Sequence, residues 1–426
     1  MPLPYLKYVL LLVLAASFTR LPAQTPAEIT WLNQHAQPIG HLTAGNGFAD
    51  LAPLAAVVAP ARVVGLGECT HGTHEVFQLK HRLLEYLVTQ QGFTTFAIEA
   101  DYGWGEILNE YIQTGKGDSL TVHSATGFEF WNTTEFWDMV EWMRAYNQQH
   151  AVKLHYVGID MQDPYPNLFS LDQYAQQQAD TVLRRRVRVL RSQYFAMRDK
   201  WTVRGKQPPS AIKQLVKRLS DELAHYLETA AAPAVQQHHA CVLVQKANMI
   251  QNGLFHPLGR DEAMAENVGW VLQQDPTARV VLWAHNGHIM RDSHHQSMGY
   301  FLAQQFGVAY VPIGFATGIG TASTNSFAAP LIQIPLQAPV AGSFEAWLDQ
   351  ASASNYLLPL LATGATPPEA QWLDQRRQFR SIGALASTSG QGQFRWHRPL
   401  PELFDALFYL HATTASQSYR AAHPKK

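Results

Sequence analysis

Four times along this chain a short apolar run rich in β-branched or aromatic residues ends abruptly in ionisable side chains. Arg62-Val63-Val64-Gly65-Leu66-Gly67 leads into Glu68-Cys69-Thr70-His71, and Thr94-Thr95-Phe96-Ala97-Ile98 leads into Glu99-Ala100-Asp101. Leu154-His155-Tyr156-Val157-Gly158-Ile159 ends in Asp160, and Val280-Val281-Leu282-Trp283-Ala284 ends in His285-Asn286-Gly287-His288. A fifth run, Ala309-Tyr310-Val311-Pro312-Ile313, stops at Gly314. Helical patterns separate the runs, so they read as parallel strands rather than hairpins. Val76, Leu79, Leu83, Leu84 and Leu87 mark a crossover helix with Thr73 placed to cap it, and Phe136, Met139, Val140, Met143 and Tyr146 mark a second. Ligands of open parallel sheets bind beyond the carboxyl ends of the strands. Strands that end one after another in Glu, Asp or His therefore aim those groups into one crevice.

From about 167 to 249 the strand signal vanishes and helical patterns take over, which predicts a helical lobe inserted between strands. The expected fold is α/β: a central, largely parallel β-sheet flanked by helices, with that lobe inserted. Hydrophobic residues make up 46% of the 426, enough for one large core. A formal charge of −1 lacks the positive field of a nucleic-acid binder. Residues 184–218 are the local exception, with twelve Lys or Arg against one acid, Asp199. Cys69 and Cys241 are too few for a disulfide scaffold and have no zinc-type spacing. At the N-terminus, Lys7, the apolar run Tyr8 to Ala16 and Leu21-Pro22-Ala23 follow the plan of a secretory signal peptide. The run is too short for a membrane span, so the expectation is a signal peptide over 1–23 and one exported catalytic domain over 24–426, periplasmic or secreted, without stable membrane insertion.

Chemistry concentrates at the strand ends. Glu68, His71 and His74 share a Gly-flanked loop, Glu99 closes the second strand, and His285 and His288 follow the fourth. A carboxylate beside a neutral imidazole orients the ring and raises its basicity, which suits deprotonation of water. A second imidazole can donate to a developing oxyanion. These parts suffice for hydrolysis without a covalent intermediate. Cys69 is an alternative nucleophile, and no G-x-S-x-G, phosphate-loop or H-E-x-x-H motif occurs.

At these residues the chain resembles the erythromycin esterase family. The likeness rests on Gly67-Glu68-Cys69-Thr70-His71-Gly72-Thr73, Gly92-Phe93 leading to Glu99, and Trp283-Ala284-His285-Asn286-Gly287-His288. Phe130 to Glu135, Trp142 to Asn147, Gly158-Ile159-Asp160, Arg260-Asp261 with Met264 to Asn267, and Met298-Gly299 resemble further family blocks in the same order. The resemblance implies an α/β fold with the helical lobe over the active cleft, and water-mediated hydrolysis of an ester or lactone, a macrolide macrolactone in the best-known members. It implies His71 as general base, Glu68 and Glu99 as its carboxylates, His285 and His288 as a second histidine pair, and Arg260 as an orienting cation. Lys80 sits at a position that is basic in the family. Lys80, Trp104, Trp131, Trp283 and Asn286 are expected to meet the small-molecule substrate, with no metal and no cofactor. Two other readings stay open: a metal-dependent hydrolase using the same His and Glu groups, and an exported binding protein whose Trp104, Trp131, Trp137 and Trp283 hold a ligand without turnover.

Overall fold

The computed structural model describes residues 25–117, 122–123, 125–200, 206–252, 259–325, 332–360, 366–387 and 391–423. The signal-peptide expectation over 1–23 lies outside the described residues.

The strands in chain order are β1 (Gln37–Pro38), β2 (Val63–Leu66), β3 (Thr95–Asp101), β4 (His155–Asp160), β5 (Val280–Trp283), β6 (Tyr310–Thr324), β7 (Ile332–Leu336), β8 (Asn355–Pro359), β9 (Arg377–Arg380), β10 (Phe394–His397) and β11 (Ala406–Thr413). Nine of them form one sheet in the order β1-β8-β11-β6-β2-β5-β3-β4, with β7 on β6. Every pairing from β11 to β4 is parallel, whereas β1, β8 and β7 join antiparallel. All residues of β2 and β5 are buried, as expected for interior strands covered on both faces. One face carries the helices His74–Gln91 and Thr134–Gln149, and the other carries Arg260–Gln274 and Met298–Phe306. The chain is thus an α/β protein with a largely parallel central sheet.

Among the described residues, four helices, Tyr165–Gln177, Thr181–Lys200, Ser210–Thr229 and Ala234–Asn252, lie between β4 and Arg260 and share an apolar cluster that includes Leu171, Val187, Val216 and Leu243. The lobe follows directly from the carboxyl end of β4 and returns at Arg260, so its base adjoins the strand ends.

Two local expectations need correction. Thr73 occupies the N-cap position of His74–Gln91, but its hydroxyl makes no cap bond. The first helical amide, that of His74, instead donates to Thr414 O at 2.9 Å, while Thr73 itself bridges to Ala415. The fifth run does not stop at Gly314, because β6 continues to Thr324. Its glycines are positions of close approach to β11: at Gly320, with φ at +119°, a Cβ would lie 1.8 Å from Thr413 O. The late apolar runs around Leu357 and Leu407 then complete the sheet as β8 and β11.

Candidate active site

The loop after β2 holds Glu68 at the bottom of the site, fully buried. One carboxylate oxygen accepts from His71 Nδ1 at 2.8 Å, and the other accepts from Lys80 Nζ and Trp283 Nε1, each at 2.7 Å. Burial raises the Glu68 carboxyl, but Lys80 and His71 outweigh it and hold the group below its ordinary value. The ionised carboxylate fixes the proton of His71 on Nδ1, leaving the Nε2 lone pair free. The His71 ring stacks on Phe130, with centroids 4.7 Å apart, and stands edge-on to Trp131. The loop comes this close to the turn after β5 only because residue 67 is glycine: a Cβ there would lie 2.0 Å from Asn286 Oδ1.

His285 faces His71, with ring centroids 5.1 Å apart. It caps the short helix Asn286–Ile289, and its Nδ1 accepts from the Gly287 amide at 3.0 Å. Burial, helped by the neighbouring His71 and His288, pushes its pKa down to about 3, so at neutral pH its one proton sits on Nε2. That Nε2 is buried with no hydrogen-bond partner among the described residues. An unsatisfied buried donor costs roughly 1–3 kcal/mol, and a site that carries such a cost beside a free imidazole lone pair is equipped to receive an oxygen atom.

Behind the histidine pair lies a charged network. Glu99 Oε2 accepts from the His285 amide at 3.0 Å, while Oε1 takes Arg260 Nη2 at 2.9 Å and His288 Nε2 at 3.2 Å. Arg260 also donates to Asp160 at 2.7 Å, and His288 Nδ1 meets Asp261 at 2.8 Å. Burial opposes the charge on Glu99, but His288 and Arg260 hold it well below the usual carboxylate range. Burial likewise opposes charge on His288, but Asp261 and Glu99 raise its pKa to about 10. His288 is therefore an imidazolium held between two carboxylates, and His285 is neutral. Two histidines three residues apart carry different charges because only one of them has carboxylate neighbours on both nitrogens.

The structure thus brings Glu68, His71, Glu99, Arg260, His285 and His288 together at the carboxyl ends of β2, β3 and β5. Other expected residues have different surroundings. Lys80 is completely buried and satisfied by Glu68, and burial lowers it to about 8. Trp131 and Trp283 are 0% and 1% exposed and pack against each other, so neither has surface to offer a substrate. Trp137 is equally interior, bonded to Asn132, so of the four tryptophans named for the binding-protein reading only Trp104 is partly exposed. Asn286 uses both ends of its amide on the Phe315 backbone. Lys80, Trp131, Trp283 and Asn286 lie beneath the histidine pair, packed against it or against the loop after β2. Trp104 is partly buried and donates to Asp163 at 2.9 Å, near the lobe. His74 turns away from His71 to pair with Glu135. Cys69 is buried with Sγ 3.3 Å from Thr317 Oγ1, and burial pushes its thiol up to about 11. Asp160, Asp261 and Phe130 escaped selection as site residues, although Asp160 ends an anticipated strand and Asp261 adjoins Arg260.

Among the described residues, no group of three or more His, Cys, Asp or Glu side chains is arranged to hold a metal ion. Four of the six nitrogens of His71, His285 and His288 are already directed, Nδ1 of His71 to Glu68, Nδ1 of His285 to Gly287 and both of His288 to carboxylates, which leaves the two Nε2 atoms of His71 and His285.

The family model described as erythromycin esterase matches residues 88–413. The type II erythromycin esterase of Escherichia coli is 34% identical over 116 residues, a stretch covering 27% of this chain and 27% of that one. The alignment therefore spans about a quarter of that relative's length. A solved structure of a succinoglycan biosynthesis protein superposes with a TM-score of 0.80 at 26% identity, covering 93% of this chain and 100% of the other. An erythromycin esterase mutant in its open conformation superposes with a TM-score of 0.66 at 20% identity, over 86% and 94% of the two chains, which shows the same fold.

Proposed function

Because the chain belongs to the erythromycin esterase family, we propose that it is a carboxylic ester hydrolase that opens an ester or lactone bond by direct attack of water. The observation that carries this reading is the pairing of a carboxylate-oriented His71, its Nε2 free, with a neutral His285 whose buried Nε2–H has no partner. His71 takes the proton from water, and His285 donates to the oxyanion that forms on the carbonyl. Glu68 stabilises the resulting His71 imidazolium, which gives that proton to the alkoxide oxygen as the tetrahedral adduct collapses and the ester C–O bond breaks, leaving the acid and the alcohol. His288 and Arg260 hold Glu99, which in turn fixes the His285 backbone. The substrate is a small-molecule ester, with macrolide macrolactones the first class to examine, met outside the cytoplasm. Turnover of matched ester and amide substrates, with a macrolactone in the panel and isotopically labelled water as solvent, tests the proposal. Esters are expected to react preferentially and the acid product to gain one labelled oxygen. Preferential amide cleavage would overturn it.

Two further results follow from the geometry. Cys69→Ser should retain activity within a few-fold, because a thiol with a pKa near 11 supplies almost no thiolate at pH 7. A covalent acyl adduct trapped on Cys69 would replace water attack by thiol catalysis. Prolonged treatment with a strong chelator should leave turnover intact, since the described residues hold no group of three His, Cys, Asp or Glu side chains placed to bind a metal ion and the proposed base is an imidazole. Activity that disappears and returns with Zn²⁺ or Mn²⁺ would favour metal-bound water instead.

A further inference from the structure

The helical lobe carries a surface that ester hydrolysis does not use. In the helix Thr181–Lys200, Leu183, Val187, Leu190, Tyr194 and Met197 are buried. Their three- and four-residue spacing sets the outward ridge, along which Arg185, Arg188 and Ser192 lie. Arg184 pairs with Asp172 at 4.0 Å, Arg186 with Glu222 at 3.5 Å and Arg198 with Asp199 at 3.0 Å. No ion pair among the described residues takes Arg185, Arg188 or Arg191. Acidic groups on this surface are thus already neutralised, and the free charge is positive.

Apolar side chains flank this ridge on both sides. A groove of about 660 Å³ on one side has Phe169 and Phe195 beside Arg188 and Arg191. A groove of about 330 Å³ on the other has Val182, Val189 and Leu219 beside Arg185. Phe169 is 54% exposed, Val182 49%, Val189 40% and Phe195 39%, so large apolar surface and unpaired guanidinium groups share one face. A merely solvated helix face has no need of the apolar half of this pattern, and an acidic small molecule would not reach across both grooves. An interface with anionic headgroups above and acyl chains just below matches both halves at once. No helix among the described residues is long and apolar enough to cross a membrane, so attachment of this kind is peripheral.

We propose that this face of the lobe docks on an anionic lipid bilayer, with Arg185 and Arg188 against headgroup phosphates and the Phe169–Phe195 and Val182–Val189 shoulders at the headgroup–acyl boundary. The test is co-sedimentation of the full chain with vesicles of phosphatidylcholine alone or mixed with phosphatidylglycerol. Pelleting is expected only with the anionic vesicles and should fall as salt is added. At about 1 kcal/mol per basic residue near such a surface, Arg185→Gln with Arg188→Gln should weaken partitioning about 30-fold, and the Glu pair more. Phe169→Ser with Phe195→Ser should weaken it while leaving the salt dependence in place. Both pairs should keep the wild-type circular dichroism and melting temperature, which separates lost docking from lost folding. Equal pelleting on neutral vesicles, undiminished pelleting of the arginine pair, or capture by a soluble polyanion that the phenylalanine pair leaves unchanged would each overturn the proposal.

Discussion

Replacing His71 with alanine is expected to lower kcat for ester hydrolysis by roughly 10²–10⁴, the usual loss when a general base is removed. The size follows from how completely the surroundings are devoted to one nitrogen. Glu68 takes Nδ1, Phe130 covers one face of the ring, and Nε2 is left for water. The fold should survive, because Glu68 in the variant still accepts from Lys80 and Trp283. The melting temperature should therefore stay near that of the wild type while kcat falls and KM changes little. His71→Gln restores shape and a hydrogen bond to Glu68 without a base, and should be as slow as the alanine variant. Wild-type-like turnover in either would remove His71 from the mechanism. Rescue by glutamine would reduce His71 to a packing role.

The placement of this base was legible because parallel strands buried on both faces must be uniformly apolar, so the polar residue that ends each one stands out. Glu68, Glu99, Asp160 and His285 are all such endings. The direction of a side chain was not legible. Trp283 is the last residue of β5, and nothing in its spacing tells whether the indole points to a ligand or, as here, under Glu68. Lys80 lies on an apolar helix face, where an ammonium is tolerated only because Glu68 meets it in the interior. Asp261 could not be paired with His288 from sequence, since the two are 27 residues apart on different elements. The glycines of β6 misled in another way. Read as punctuation they end a strand, whereas here they let β6 and β11 approach.

Arg260→Ala is expected to destabilise the protein by about 3 kcal/mol at pH 7, the lower end of the range for removing one partner of a buried ion pair. The lower end applies because 17% of the Arg260 side chain meets solvent, whereas the side chains of Asp160 and Glu99 are 0% and 7% exposed. Glu99 would then keep His288 and the His285 amide, and Asp160 only the Met161 amide and the Gln162 side chain, with no ion pair of its own. The pH dependence has a definite sign. Glu99 is held well below its ordinary 4.5, so its stabilising contribution is present above that pH and lost as the pH falls through the folded value. His288 is raised from 6.5 to about 10, so its contribution is complete below 6.5 and lost as the pH rises through about 10. The network is therefore at full strength between the two limits. Without Arg260 the Glu99 carboxyl moves up, so the stability gap between variant and wild type should narrow as the pH falls from 7 towards 4. Urea unfolding of both proteins at several pH values measures this directly. A gap below about 1 kcal/mol, which is what an exposed ion pair contributes, would mean that Arg260 is a surface residue tethered by chance. A gap that widens on acidification would mean that its charge does not hold Glu99 ionised. Activity supplies the independent check. Because Glu99 fixes the His285 backbone, loosening it should lower kcat at a pH where the variant is still fully folded, and Arg260→Lys, which keeps the charge but loses the fork that reaches Asp160 and Glu99 together, should recover part of the stability and little of the rate.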